Sequence, residues 1–177
     1  MTEERADPAA QHSEPWVVAA QSEVDTQRLG CALARALAHG GTVALIGPLG
    51  AGKTRLTQAI AGELGADRRT VNSPTFVLIQ EYAASVPIFH CDTYRLRSVD
   101  EFLDLGVDEM FQSEALCLIE WADRVTPVLP PDRLQIEIEV TGPTARNFRI
   151  SALGPHSFAV LANARAGFDS RGARQPE

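Results

Sequence analysis

The order of apolar and polar positions divides the chain into short strands and amphipathic helices. Short apolar runs and strictly alternating runs predict β-strands. These strands are predicted at residues 16–20, 42–46, 76–82, 86–92, 115–121, 134–140 and 147–153. Helical spacing predicts helices at residues 23–38 and 55–64, and a third helix with acidic residues in its first turn at residues 98–105. Strands and helices that alternate in this way are typical of an α/β domain.

The same pattern predicts the architecture and the limits of the domain. Residues 134–140 and 147–153 flank Gly142-Pro143, and they predict an antiparallel hairpin at one edge of the sheet. The remaining apolar runs indicate strands buried on both faces. We therefore predict a three-layer α/β domain over residues 15–165, with a mixed, mainly parallel sheet. The polar ends, residues 1–14 and 166–177, are predicted to be a disordered leader and a disordered tail.

One motif identifies the chemistry that the domain can carry out. Residues Gly47–Thr54 read G-x-x-x-x-G-K-T, the phosphate-binding loop (P-loop) of nucleoside triphosphatases. The loop lies between a predicted strand and a predicted helix, so its N–H groups and the positive end of the helix can face an anion. Lys53 is the only lysine of the chain, and the other fifteen basic residues are arginines. Because a compact ammonium binds phosphates as a point charge, we predict a P-loop NTPase-like fold in which Lys53 binds phosphate and Thr54 binds Mg²⁺.

Composition narrows the choice of partners and compartment. The formal net charge of −7 argues against a protein that binds nucleic acid through its own surface charge. No apolar stretch has the length of a membrane span, and the polar first residues show no signal peptide. The three cysteines stand at unrelated spacings, and Cys91 and Cys117 lie in apolar runs typical of buried thiols. We therefore expect a cytoplasmic location, no membrane, and contact with RNA only through another subunit.

Two acidic residues are candidates for the second half of a nucleotide site. Mg²⁺ bound to a triphosphate prefers oxygen ligands, and in such folds the protein's acid usually ends a buried strand near the loop. Glu120 and Asp92 each end an apolar run. Glu120 follows the more apolar run and is the better candidate for the metal acid, and Asp92 is then the candidate to orient or activate the attacking water.

The segment Ser73–Phe76 has two interpretations. Pro74 restricts its own backbone and that of Ser73. Thr75 could reach the γ-phosphate or its Mg²⁺ and order the segment when a triphosphate is present, but an ordinary turn before a strand is the simpler explanation of these residues. Trp121 also has two interpretations, as a core side chain or as part of a partner interface.

Four segments, in this order, resemble the TsaE (YjeE) family. They are Gly47–Thr54, Ser73–Phe76, His90–Arg95 and Leu118–Trp121, with the sequences G-P-L-G-A-G-K-T, S-P-T-F, H-C-D-T-Y-R and L-I-E-W. The similarity extends from residue 18 to residue 153. The resemblance implies a small cytoplasmic P-loop protein that binds ATP and Mg²⁺ and hydrolyses ATP weakly alone. It also implies action with TsaD and TsaB subunits in the synthesis of threonylcarbamoyladenosine (t6A) next to the tRNA anticodon, with tRNA met only through the complex.

The resemblance also implies roles for individual residues. Lys53, Asp92 and Glu120 are implied to be catalytic. Thr54 and Glu120 are implied to bind metal, and Thr75 and Trp121 to act in switching or partner contact. The implied nucleotide contacts are Glu23, Gly47, Leu49, Gly50, Ala51, Gly52, Lys53, Thr54, Arg55, Thr75, Asp92 and Arg146.

Two other classes of P-loop protein are weighed against this interpretation. An autonomous small-molecule kinase needs a lid with arginines that clamp the transferred phosphoryl group, but the stretch 94–111 is rich in acids. A guanine-nucleotide switch needs an N-K-x-D segment, which a chain without a lysine besides Lys53 cannot contain. The kinase remains the alternative function.

Overall fold

The computed structural model describes residues 14–172, and the side chains of residues 14–170. Its strands are β1 Trp16–Ala20, β2 Gly41–Ile46, β3 Ile79–Tyr82, β4 Ile88–Asp92, β5 Leu116–Glu120, β6 Leu134–Val140 and β7 Arg146–Ala152. Its helices are α1 Glu23–Ala36, α2 Lys53–Glu63, α3 Val99–Leu103, α4 Val107–Gln112 and α5 Pro155–Gly172, with short 3₁₀ turns at Ala122–Arg124 and Thr126–Val128. Within the described residues, no helix is long and apolar enough to cross a bilayer.

The strands form one mixed sheet in the order β1-β7-β6-β2-β5-β4-β3. The four central strands, β6, β2, β5 and β4, run parallel, and the flanking strands pair antiparallel. The predicted α/β class and the hairpin of β6 and β7 are confirmed. The hairpin lies one strand in from the edge, because β1 pairs with β7 on its outer side.

Side chains alternate between the two faces of the sheet and build two cores. Val43 and Leu118 belong to the core on the side of α1, α2 and α5. Ala44 and Ile119, their neighbours in sequence, belong to the opposite core, which contains Phe102 of α3. Because both faces are covered, the sheet is the middle of three layers.

The cysteines are free thiols rather than members of a site. Cys91 and Cys117 are buried, as predicted, and Cys31 is half-buried. Burial raises the pKa of the Cys117 thiol to about 12 and also raises the pKa of Cys91. Such thiols stay protonated at neutral pH and do not act as nucleophiles.

The C-terminal segment differs from the prediction. Helix α5 extends through Gly172, so the predicted disordered tail is wrong for residues 166–172, and residues 173–177 lie outside the described part. The start of α5 is capped from a distant loop, because the Asp132 carboxylate accepts hydrogen bonds from the backbone N–H groups of His156 and Ser157. Local sequence does not show this cap. The predicted leader lies outside the described residues except for its last position.

Strand β3 also begins later than predicted. It starts at Ile79, and the residues before it form a turn in which the Leu78 N–H donates to the Pro74 carbonyl at 2.7 Å. The turn leaves Phe76 85% exposed as a residue. The segment that precedes β3 is therefore a loop beside the P-loop, which bears on the site below.

Candidate nucleotide-binding site

The P-loop joins the end of β2 to the start of α2. Gly52, the N-cap of α2, has φ +101°, and no side chain caps the helix there. The first N–H groups of α2 therefore have no side-chain acceptor and lie at the positive end of the helix. At Gly47 a Cβ would come within 2.7 Å of the Ile138 carbonyl oxygen, so only glycine fits. The loop has the backbone of an anion-binding site.

Lys53 is buried at the centre of this loop. Its ammonium donates hydrogen bonds to the carbonyl oxygens of Gly47 at 2.7 Å and Pro48 at 3.0 Å, and it lies 3.6 Å from the centroid of the Trp121 ring. Burial lowers the pKa of Lys53, and the nearby carboxylates of Glu120 and Asp92 only partly oppose this. An anion beside the ammonium would offset the remaining cost of burial.

The two candidate acids lie side by side at the carboxyl ends of parallel strands. Asp92 of β4 and Glu120 of β5 are register partners, and both are buried. The Thr54 hydroxyl donates to Glu120 at 2.7 Å from Oε1 and 3.0 Å from Oε2. Glu120, rather than Asp92, thus contacts the hydroxyl that P-loops offer to Mg²⁺. This geometry favours Glu120 as the metal acid, and the assignment stays a prediction.

Asp92 holds the loop that contains the candidate switch residue. Its Oδ2 accepts a hydrogen bond from the Thr75 hydroxyl at 2.8 Å and another from the Ser73 hydroxyl. Its Oδ1 accepts from the Tyr94 backbone N–H at 2.9 Å. A change at Asp92 would therefore be felt by the segment that carries Thr75.

These groups surround one cavity of about 370 Å³. Its lining consists of Leu49, Gly50, Ala51, Gly52, Lys53, Thr54, Ser73, Thr75, Asp92, Tyr94, Glu120 and Trp121. Trp121 is half-buried and has a left-handed backbone, with φ +58°, which is unusual for a bulky residue. Its ring contacts Tyr94 at 4.8 Å between centroids. Trp121 is therefore neither a plain core residue nor a free surface residue, but part of the cavity wall.

Three of the predicted nucleotide contacts lie on the other side of the P-loop. Glu23, Arg55 and Arg146 line a smaller cavity of about 170 Å³ that shares Gly50, Ala51 and Gly52 with the main one. Glu23 and Arg55 form an exposed ion pair at 2.8 Å. These side chains therefore lie near the P-loop, but they line a different cavity from Asp92 and Glu120.

Arg146 holds the P-loop in place through hydrogen bonds to its carbonyl groups. Its guanidinium donates to the carbonyl oxygens of Ala51 at 2.8 Å and Gly50 at 3.0 Å. It also donates to those of Gly142 at 2.9 Å and Ala145 at 2.7 Å. In this arrangement the side chain ties the loop to the turn between β6 and β7. All four of these hydrogen bonds hold parts of the protein's own backbone together.

Replacement of Arg146 by alanine should therefore destabilise the fold. We expect Arg146→Ala to lower the free energy of unfolding by about 2 kcal/mol, because four carbonyl groups lose a charged donor. Urea unfolding measures this loss. Arg149→Ala is the matched control on the same strand, since Arg149 is exposed and lies 4.0 Å from Glu137. Its expected effect is below about 0.5 kcal/mol, and equal losses in the two variants would refute the bracing role.

The sequence analysis assigned no nucleotide or metal contact to Ser73, His90 or Tyr94. All three belong to segments that the sequence analysis singled out. His90 is fully buried, and its Nε2 lies 2.8 Å from Oε1 of Glu120. The period of two along β4 places His90 on the same face as Asp92 and could have indicated this contact.

The acidic groups alone do not make a metal site. Among residues 14–172, no group of three His, Cys, Asp or Glu side chains is arranged to hold a metal ion. Mg²⁺ usually keeps several waters and binds through one or two carboxylates together with substrate phosphates. The pair of Thr54 and Glu120 fits that mode, in which phosphate oxygens supply further ligands.

The matching region in known proteins covers all of these residues. A family described as "Threonylcarbamoyl adenosine biosynthesis protein TsaE" matches residues 20–148. The "tRNA threonylcarbamoyladenosine biosynthesis protein TsaE" of Bacillus subtilis is 46% identical over 116 residues, which span 65% of this chain and 72% of that protein. The protein of the same name from Treponema pallidum is 35% identical over 131 residues, 74% of this chain and 96% of that one. A crystal structure of Bacillus subtilis YdiB has a TM-score of 0.73 and 29% identity, and the match covers 94% of this chain and 100% of YdiB.

Proposed function

The chain belongs to the TsaE family, and we propose that it is an ATP-binding, Mg²⁺-dependent P-loop ATPase required for t6A synthesis in tRNA. The names of its relatives support the pathway. The contact of the Thr54 hydroxyl with Glu120 in the P-loop cavity carries the proposal for ATP and Mg²⁺. It joins the P-loop to the acid at the end of the neighbouring strand, as Mg²⁺-triphosphate binding requires.

Each side chain of the site has a role that follows from its position. Lys53 neutralises phosphate oxygens from within the loop, because it is buried beside the N-terminus of α2. Thr54 and Glu120 would hold Mg²⁺, which when bound neutralises further charge on the phosphates. Asp92, the register partner of Glu120, orients the attacking water.

The same arrangement makes Thr75 a candidate sensor. Its hydroxyl donates to Asp92, so a change at that acid alters how the loop 73–78 is held. We propose that the loop takes one position with ATP and another after hydrolysis. The ATP cycle would thereby control which surface the protein presents.

Exposed apolar side chains in the P-loop and next to Thr75 support a protein partner. Leu49 is 81% exposed, Phe76 85% and Val77 63%, and they lie in the P-loop or in the segment that holds Thr75. Large apolar side chains grouped on a surface are typical of interaction sites. We propose that TsaD and TsaB subunits bind the protein in the cytoplasm, and that tRNA is met only through them, since the net charge is −7.

Co-purification tests this assignment. The full chain is mixed with TsaD and TsaB under Mg-ATP, Mg-ADP or no nucleotide, and the complex is isolated by size exclusion. We expect the amount of complex to differ at least about threefold between ATP and ADP. When tRNA and a threonylcarbamoyl donor are also added, t6A should form only when ATP is present. The absence of a complex in every state would refute the partner assignment. Rapid phosphorylation of one compound in a panel of nucleosides and sugars would instead favour the kinase.

A further inference from the structure

A buried histidine lies behind the candidate metal acid. His90 is fully buried on β4, where its neighbours along the same face are Ile88 and Asp92. Because Asp92 is the register partner of Glu120 and His90 that of Leu118, His90 lies diagonally across from Glu120. Its Nε2 reaches Oε1 of Glu120 at 2.8 Å. An imidazole in such a place costs folding free energy unless both of its nitrogens find partners.

The hydrogen-bond network determines which nitrogen carries the proton. In the proposed function Glu120 is a carboxylate that serves Mg²⁺, and a carboxylate only accepts, so Nε2 of His90 is the donor in their contact. The Tyr82 hydroxyl lies 3.4 Å from Nδ1, and its single proton goes either to this nitrogen or to the Asn72 carbonyl oxygen 3.3 Å away.

This contact fixes the direction in which Glu120 faces. Oε1 accepts from both Thr54 at 2.7 Å and His90 at 2.8 Å, whereas Oε2 has only the longer Thr54 contact at 3.0 Å. Without His90 the carboxylate would keep a single partner and could rotate about its side-chain bonds. Groups that orient metal ligands in this way typically contribute tenfold to a hundredfold to metal affinity or activity.

The polar contacts of His90 extend through Tyr82 to the segment that precedes Thr75. The Tyr82 hydroxyl also lies 3.3 Å from the carbonyl oxygen of Asn72, the residue before Ser73. Ser73 in turn donates to Asp92. A chain of polar contacts therefore runs from the candidate switch segment through Tyr82 and His90 to Glu120.

We infer that His90 is a positioning residue for the Mg²⁺-nucleotide site. It donates a hydrogen bond to Glu120 and so presents that carboxylate to the metal ion. The inference rests on the proposed function, in which Glu120 serves Mg²⁺. His90 itself contacts neither metal nor nucleotide in this scheme.

Two matched polar substitutions test the role of His90. Glutamine can place an amide N–H near the position of Nε2, whereas asparagine is too short and reaches only the position of Nδ1. The dissociation constant of a non-hydrolysable ATP analogue is measured for each full-length variant, once with excess Mg²⁺ and once with EDTA. We expect His90→Asn to reduce the affinity gain due to Mg²⁺ by tenfold or more, with the EDTA value unchanged within about twofold. His90→Gln should recover the gain to within about threefold.

A packing control separates positioning from stability. Leu118→Val removes buried volume beside His90 and leaves the contact with Glu120 in place. This variant should melt at a lower temperature but keep the full Mg²⁺-dependent gain. If His90→Asn does not fold, His90→Leu and His90→Gln provide the same comparison of a ring replacement without and with a donor.

The outcomes distinguish this inference from the proposed function. A wild-type protein that shows no affinity for the analogue would overturn the proposed function, and with it the basis for the inference. A wild-type protein with a normal Mg²⁺-dependent gain that His90→Asn or His90→Leu retains would overturn the positioning role alone. Loss of the gain in His90→Gln as well would show that a donor at this position is not sufficient, and it would also count against the inference.

Discussion

Lys53→Ala is expected to raise the dissociation constant for Mg-ATP roughly 100-fold or more, because the loop loses its buried cation. Lys53 is 4% exposed as a residue and lies at the N-terminus of α2, where charge-assisted hydrogen bonds are strong. Binding is measured by competition with a fluorescent ATP analogue. Circular dichroism should show a folded variant, since the main interactions of Lys53 are to the loop itself.

Two controls sharpen this prediction. Lys53→Arg keeps the charge, but the guanidinium is bulkier and more directional than the ammonium that contacts two carbonyl oxygens and the Trp121 ring, so it should also bind poorly. Arg69→Ala removes the same unit of charge from an exposed pair with Asp67, and it should leave affinity within about twofold. Affinity of Lys53→Ala within about threefold of the parent would contradict the assignment of the loop.

Glu120→Gln is expected to lower Mg²⁺-dependent ATP hydrolysis roughly 100-fold, because the site loses the negative charge that favours the metal ion. The amide is nearly the same size as the carboxylate and can still accept from the Thr54 hydroxyl. The fold and the affinity for ATP in EDTA should therefore change little. Phosphate release at several Mg²⁺ concentrations measures the effect, and excess Mg²⁺ should restore part of the rate.

Asp92→Asn distinguishes the two neighbouring acids. Asp92 contacts Ser73 and Thr75 rather than Thr54. Its substitution should slow hydrolysis without changing the Mg²⁺-dependent gain in ATP affinity. If Glu120→Gln hydrolyses ATP at the parent rate, or if Asp92→Asn loses the Mg²⁺-dependent gain instead, Glu120 is not the metal acid.

The central part of the fold could be predicted because its signals are local. The strand 42–46, the loop and the helix that follows are contiguous, and their apolar periods are unambiguous. Both acids could be placed at strand ends for the same reason. Parallel strands place their carboxyl ends at one edge of the sheet, so a common edge for both acids follows from the predicted class. The pairing of β4 with β5 was not predicted from the sequence.

The features that could not be predicted depend on contacts between distant residues. Helix α5 receives its cap from Asp132, and its Phe168 ring packs against Trp16 at 5.4 Å between centroids. The nucleotide contact that the resemblance implies for Arg146 stays a prediction, and the hydrogen bonds of Arg146 to P-loop carbonyl groups were not predicted. The hydrogen bond from Ser73 to Asp92 likewise joins residues that are 19 positions apart. The pattern of neighbouring residues in the sequence does not show which distant residues will be in contact.

Calorimetric titration of the full chain with Mg-ATP tests the nucleotide site most directly. We expect saturable heat that corresponds to one nucleotide per chain, with clear weakening when EDTA removes the metal. A titration of the folded protein that gives no saturable heat with Mg-ATP would contradict the assignment of Lys53, Thr54 and Glu120 to a nucleotide site.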